Sequence, residues 1–181
     1  VAEAAIETGV ATKTINTISE YTKKLENSAY KSSFLMRPVF EAARSASRKI
    51  VFAEGEDERV LRASFSMIEE TGDSPILIGR PDVVMSRIEK YGLPLKINKD
   101  FELVNPESDP RFREYWETYH KIMERRGVTP ALAKAIMRTN STAIAAIMVF
   151  RSEADSMICG TFGQYLWPVS YTHLTLPTMF E

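Results

Sequence analysis

Short β-branched runs alternate with longer stretches whose apolar residues recur every three or four positions, and this alternation governs the chain from residue 49 onward. The pattern predicts a strand over 49–53, then a helix over 57–71 with Val60, Leu61, Phe65 and Ile68 on one face and a stop at Gly72. A second strand follows over 75–78, and Pro81 opens a helix through Val83, Val84 and Ile88 to Gly92. A third strand is expected over 102–104. Asp109-Pro110 reads as a cap followed by a first-turn proline, opening a helix through Phe112, Trp116, Tyr119 and Met123 that stops at Gly127. Thr129-Pro130 repeats the device, Asn140-Ser141-Thr142 caps a helix carrying Ile144, Ile147 and Met148, and 156–159 forms the last strand before Gly160. Strands separated by helices are the signature of an α/β fold with a parallel sheet and helical crossovers.

The first 48 residues are organised differently. Residues 1–6 read as the last turns of a helix, with Gly9 where a left-handed C-terminal cap belongs, and the start at Val1 inside that pattern points to a missing upstream part. The polar stretch 12–33 reads as a linker with one short exposed helix over 18–25. Residues 35–46 return to helical spacing through Val39, Phe40 and Ala43.

A chain of 181 residues suffices for one ordinary domain. Twenty-three Lys and Arg against 24 Asp and Glu give a net charge of −1, which supplies no field for a nucleic-acid backbone or an anionic membrane. The single cysteine, Cys159, excludes an internal disulfide and fits a reducing cytoplasm. No apolar run reaches the roughly 20 residues that span a bilayer, so no membrane partner is expected.

Candidate chemistry is sparse. The acidic loop from Glu54 to Arg59 lies at the carboxyl end of the first strand, where open parallel sheets place ligands, yet acids in a first helical turn ordinarily complement its dipole, and capping is the preferred role. Arg138-Thr139-Asn140-Ser141-Thr142 brings an arginine, hydroxyls and the free N–H groups of a helix start into one volume; phosphate binding and simple N-capping with an Arg138 ion pair both stay open. Cys159-Gly160-Thr161 ends a strand with small residues that permit close backbone approach, although a buried inert thiol is the commoner arrangement. His120 and His173 share no metal-ligand spacing. A glycine-rich P-loop, a dinucleotide motif and a nucleophile elbow are all missing from the sequence.

Several ordered strings carry a resemblance: VFAEGEDERVLR at 51–62, FELVNP at 101–106, YWETYH at 115–120, GVTPALA at 127–133, AIMRTN at 135–140 and ADSMICGTFG at 154–163. Together they resemble the phosphate acetyltransferase-like region at the carboxyl end of the large NADP-dependent malic enzymes, and AAIETGVA at 4–11 resembles the close of the preceding malic-enzyme region. The resemblance implies a truncated, doubly wound, mostly parallel α/β sheet over 34–167, with 1–11 ending the malic-enzyme region and 12–33 as linker. It implies oxidative decarboxylation of malate to pyruvate by the missing N-terminal region, using NADP and a divalent metal (Mg or Mn), with no cofactor held here. The region itself is expected to sense acetyl-CoA or phosphate and to form a homo-oligomer. Arg138, Asn140, Ser141, Thr142, Gly160 and Thr161 receive a ligand-contact role, and no residue receives a catalytic one. An active phosphate acetyltransferase and a purely structural scaffold are the alternatives.

The resemblance stops after Trp167. The string PVSYTHLTLPT at 168–178 resembles peptides at the ends of unrelated conceptual translations, and 168–181 is therefore expected to be a non-native tail.

Overall fold

The computed structural model describes residues 31–162 and 166–175, and Thr8 before them. The expected helices over 1–6 and 18–25 and the end of the tail at 176–181 lie outside the described residues. Two compact units divide the chain, Val1–Ala43 and Arg44–Glu181. The first contributes most of helix α1 (Lys31–Ala46), which starts four residues before the expected position and carries Pro38 inside it.

In the second unit the elements run β1 (Ile50–Phe52), α2 (Glu58–Thr71), β2 (Ile76–Ile78), α3 (Pro81–Tyr91), β3 (Glu102–Val104), α4 (Phe112–Met123), a 3-10 turn (Glu124–Arg126), α5 (Pro130–Thr139), α6 (Ser141–Phe150), β4 (Ser156–Ile158) and α7 (Leu166–Thr175). The four strands form one sheet in the order β3-β2-β1-β4, and every pairing is parallel. Val51 is in register with Ile76 on one side and Met157 on the other. The expected parallel α/β fold is therefore present, with β3 at its expected bounds and the other strands one or two residues shorter than the apolar runs that announced them.

Alternation along the strands sends side chains to two faces. Val51, Ala53, Ile76, Ile78 and Val104 pack with α4, α5 and α6, through residues such as Tyr115, Met137 and Ile147. Phe52 and Leu77 point the other way, into a second core with Val60 and Leu61 of α2, Val84 and Ile88 of α3, and Phe101. Both faces of a parallel sheet must be covered, which explains why these strands are apolar at successive positions. Helix α6 is buried from Thr142 through Met148, consistent with its nearly all-apolar sequence.

Local signals explain most boundaries. Asp57 caps α2 by accepting from the Arg59 amide at 2.8 Å, and Gly72 closes it in a left-handed conformation with φ 79°. Thr129 caps α5 ahead of Pro130, and Asn140 caps α6. The Asp109-Pro110 expectation needs correction: Pro110 lies in a turn before the helix, which begins at Phe112 with Arg111 at its N-cap position. The Asp109 carboxylate accepts instead from the Arg111 amide (2.8 Å) and guanidinium (3.0 and 2.9 Å). At the amino edge of the sheet, the Lys49 amide donates to Asp155 Oδ2 at 2.8 Å and the Asp155 amide returns a bond to the Lys49 carbonyl, joining the starts of β1 and β4.

Candidate functional site

Strand order reverses at β1, with β2 and β3 on one side and β4 on the other. In open α/β sheets such a reversal opens a crevice at the carboxyl ends of the strands. A cavity of about 300 Å³ lies there. Its walls come from Ala53, Glu54 and Glu56 after β1, Gly79 and Arg80 after β2, and Pro106 and Glu107 after β3; Arg138, Thr139 and Ser141 at the α5–α6 junction, together with Phe162, close it.

The loops after β1 and β2 interlock through two glycines. The Gly55 amide donates to the Ile78 carbonyl at 3.0 Å, and a Cβ there would meet that oxygen at 2.8 Å. A Cβ on Gly79 would meet Glu56 Cγ at 2.9 Å. Across this contact Glu56 accepts from the Arg80 amide (2.9 Å), Nε (2.9 Å) and Nη2 (3.0 Å), while Arg87 donates to the Glu56 carbonyl. The Arg80 guanidinium hydrogen bonds hold the Glu56 carboxyl below its ordinary range.

Glu54, 8% exposed, spans the reversal itself, accepting from the Gly160 amide at 2.9 Å. On the outer side of the same loop Arg59 donates to the Thr161 carbonyl at 2.7 Å and to Asp57 at 3.0 and 3.1 Å, which keeps the Asp57 carboxyl low. The acidic loop thus divides by role. Asp57 caps α2, Glu58 pairs with Arg62 one turn on, and Glu54 and Glu56 line the cavity. Desolvation, reinforced by the Glu54 charge, raises the Cys159 thiol above its ordinary range, so the thiol is a poor nucleophile.

Of the six ligand residues expected from the sequence, Arg138 and Ser141 line the cavity. Arg138 is exposed, rests its guanidinium 5.0 Å from the centroid of the Phe112 ring, and forms no ion pair among the described residues. Of the N-capping reading, the cap itself is present, made by Asn140, while the Arg138 ion pair that went with it is not seen among the described residues. Asn140 sits between them in sequence but uses both ends of its amide elsewhere, accepting from the Ala143 amide at 3.1 Å and donating to the Tyr171 hydroxyl at 3.2 Å. Thr142 is buried in the first turn of α6 and is not among the cavity-lining residues. Gly160 has φ 97° and open space at its Cβ position, apart from Pro168 Cγ at 3.7 Å. The glycine is thus explained by its dihedral rather than by close approach, and its amide is already given to Glu54. Thr161 is not among the cavity-lining residues, and its hydroxyl is buried without a partner.

Glu54, Glu56, Arg80, Glu107 and Thr139 were not singled out individually from the sequence. The available signal was position: Arg80 directly precedes the Pro81 that starts α3, and so stands at a strand's carboxyl end. Among the described residues no group of three or more His, Cys, Asp or Glu is placed to hold a metal, and no helix is long and apolar enough to cross a membrane.

Comparison with known proteins agrees with this geometry. Over 91% of its length the chain is 51% identical to an NADP-dependent malic enzyme of Escherichia coli (strain K12), and 49% identical over the same share to an NAD-dependent malic enzyme of Rhizobium meliloti (strain 1021). It spans only 22% of the length of each. The crystal structure of a phosphotransacetylase from Streptococcus pyogenes superposes on 77% of the chain with a TM-score of 0.66 and 25% identity, using 42% of its own length. The profile of the phosphate acetyl/butaryl transferase family matches residues 34–170, most of the chain, and the chain belongs to that family.

Proposed function

We propose that this chain is the ligand-sensing part of an NADP-dependent malic enzyme, binding acetyl-CoA or phosphate in the switch-point cavity and contributing to a cytoplasmic homo-oligomer. Malate decarboxylation with NADP and a divalent metal belongs to a region outside the chain. The two malic-enzyme relatives differ in named coenzyme at almost equal identity, so likeness over this stretch does not itself select NADP over NAD.

The observation carrying the reading is Arg138, a guanidinium without a carboxylate partner among the described residues, on the same cavity wall as Ser141 at the start of α6. A helix start concentrates N–H donors and positive dipole, and an arginine beside it recognises phosphate or carboxylate oxygens. Arg80 is less available because Glu56 already holds it. The cavity, at about 300 Å³, stands at the small end of ligand sites and suits phosphate or the acyl end of acetyl-CoA, with the nucleotide outside.

Calorimetric titration of the full chain with acetyl-CoA and, separately, with inorganic phosphate tests the reading. Binding should weaken about ten- to a hundredfold in Arg138→Ala, the loss expected for a hydrogen bond to a charged group. Absence of heat with both ligands overturns it. Acetyl phosphate formation from the same mixture would replace sensing with turnover.

A further inference from the structure

Phe112 stands in the first turn of α4, half-buried against the sheet face that carries Val51 and Ile78, and its ring lies beneath the Arg138 guanidinium. The surroundings make that placement notable. Glu54, Glu56 and Glu107 line the same cavity as Arg138. Glu56 clamps Arg80 and Glu54 takes the Gly160 amide. Arg138 is left on an aromatic face. A ring quadrupole compensates part of the guanidinium charge without occupying its N–H donors, which a carboxylate would consume.

We infer that Phe112 is a positioning residue for the ligand site: its ring seats the Arg138 guanidinium at the cavity wall with its donors unspent, ready for an anionic ligand. The inference rests on the proposed binding role of Arg138 and adds a second, non-contacting residue to it. The seat is itself anchored. Arg111, next in the chain, is held by Asp109 at 2.9 Å, Glu102 at 3.0 Å and Glu153 at 3.4 Å, which fixes the start of α4 against the turns after β3 and α6. Phe112 packs against the core cluster that holds Val104, Met137 and Ile144, so core residues back its ring. A long side chain that must be ordered on binding loses affinity, and a pre-seated one avoids that loss.

The test compares Phe112→Leu, which keeps apolar bulk and removes the π face, with Phe112→Tyr, which keeps the face. Each is titrated in the full chain with inorganic phosphate and with acetyl-CoA, beside wild type and Arg138→Ala, and melting temperatures are recorded without ligand. Phe112→Leu is expected to weaken binding about two- to tenfold, the range for ordering one side chain on binding. Phe112→Tyr should restore wild-type affinity. A simple structural defect would lower the melting temperature of both variants without that rescue. If Arg138→Ala loses binding while Phe112→Leu keeps it, the seat is refuted and the sensing reading stands; if wild type binds and Arg138→Ala binds equally well, Arg138 is not the contact and the seat falls with it. Should Phe112→Leu fail to fold, Phe112→Met takes its place with the same expected loss.

Discussion

Gly55 and Gly72 offer a controlled comparison, because one is a glycine for want of space and the other for its backbone angle. A methyl group on Gly55 would stand 2.8 Å from the Ile78 carbonyl oxygen and 2.9 Å from Leu77 Cβ, contacts with a central strand that cannot swing aside. Overpacking of this kind costs about 1–3 kcal/mol. Displacing the loop also weakens the 3.0 Å hydrogen bond from the Gly55 amide to Ile78, worth about 0.5–1.5 kcal/mol. The alanine restricts the unfolded chain, which returns about 0.4–1 kcal/mol. The net expectation for Gly55→Ala is a loss of about 2 kcal/mol, or a fall in melting temperature of roughly 4–8 °C for a chain of this size. Gly72 has φ 79° and nothing within 4 Å of its Cβ position. Gly72→Ala should therefore cost only left-handed strain of about 1–2 kcal/mol less the same unfolded-state return, a net of about 1 kcal/mol or less. Thermal denaturation followed by circular dichroism reads both. A Gly72→Ala penalty equal to or larger than that of Gly55→Ala would show that the interlocked loops are slack and that the crowding argument is wrong.

Further outcomes follow from the same geometry. In Gly79→Ala the new methyl meets Glu56 Cγ, a side-chain atom, so it should disturb the Glu56–Arg80 clamp and ligand titration more than the melting temperature. The folded Glu56 carboxyl titrates below its ordinary 4.5, so its contribution is complete above that pH and is lost as pH falls through the lower folded value; Glu56→Gln should flatten the acid limb of a stability–pH curve in that window, and an unchanged limb would contradict it. Asn140→Ala should lose about 1–2 kcal/mol in urea denaturation through the α6 cap, whereas Asn140→Asp, whose carboxylate can cap the helix and accept from the Tyr171 hydroxyl, should stay within about 0.5 kcal/mol of wild type. Burial chiefly, with Tyr119 nearby, pushes the Tyr171 phenol from 10.0 to about 12, so alkaline destabilisation should begin near pH 10, where the unfolded phenol ionises first, and grow until the folded phenol titrates; Tyr171→Phe should lessen it.

The parts of this fold that local chemistry dictates were legible in the chain. Thr129-Pro130, Asn140 and the stops at Gly72, Gly92 and Gly127 are decided within a few residues, and each cap or stop stands where the pattern put it. At Asp109-Pro110 the carboxylate accepts from the Arg111 amide and guanidinium much as Asp57 accepts from Arg59, yet Pro110 and Arg111 form a turn and the helix starts only at Phe112. The cavity was legible in position but not in membership. Arg138 and Ser141 stood out as a local cluster, yet Glu56 reaches Arg80 across 24 residues and Glu54 reaches Gly160 across 106. The Asn140 amide likewise has a partner 31 residues on, the Tyr171 hydroxyl, which no local pattern announces.

The central position of β1 has a consequence for synthesis. Its partner on one side, β2, follows about 25 residues later, but β4 is paired only after the chain has run from Val51 to Met157. At a translation rate of about 5–20 residues per second, one flank of the sheet's middle strand stays unpaired for roughly 5–20 seconds on the ribosome. Until β4 emerges, Val51 and Phe52 present an open parallel edge that other nascent chains can join. Yield in the cell should thus depend on how long that edge is shielded.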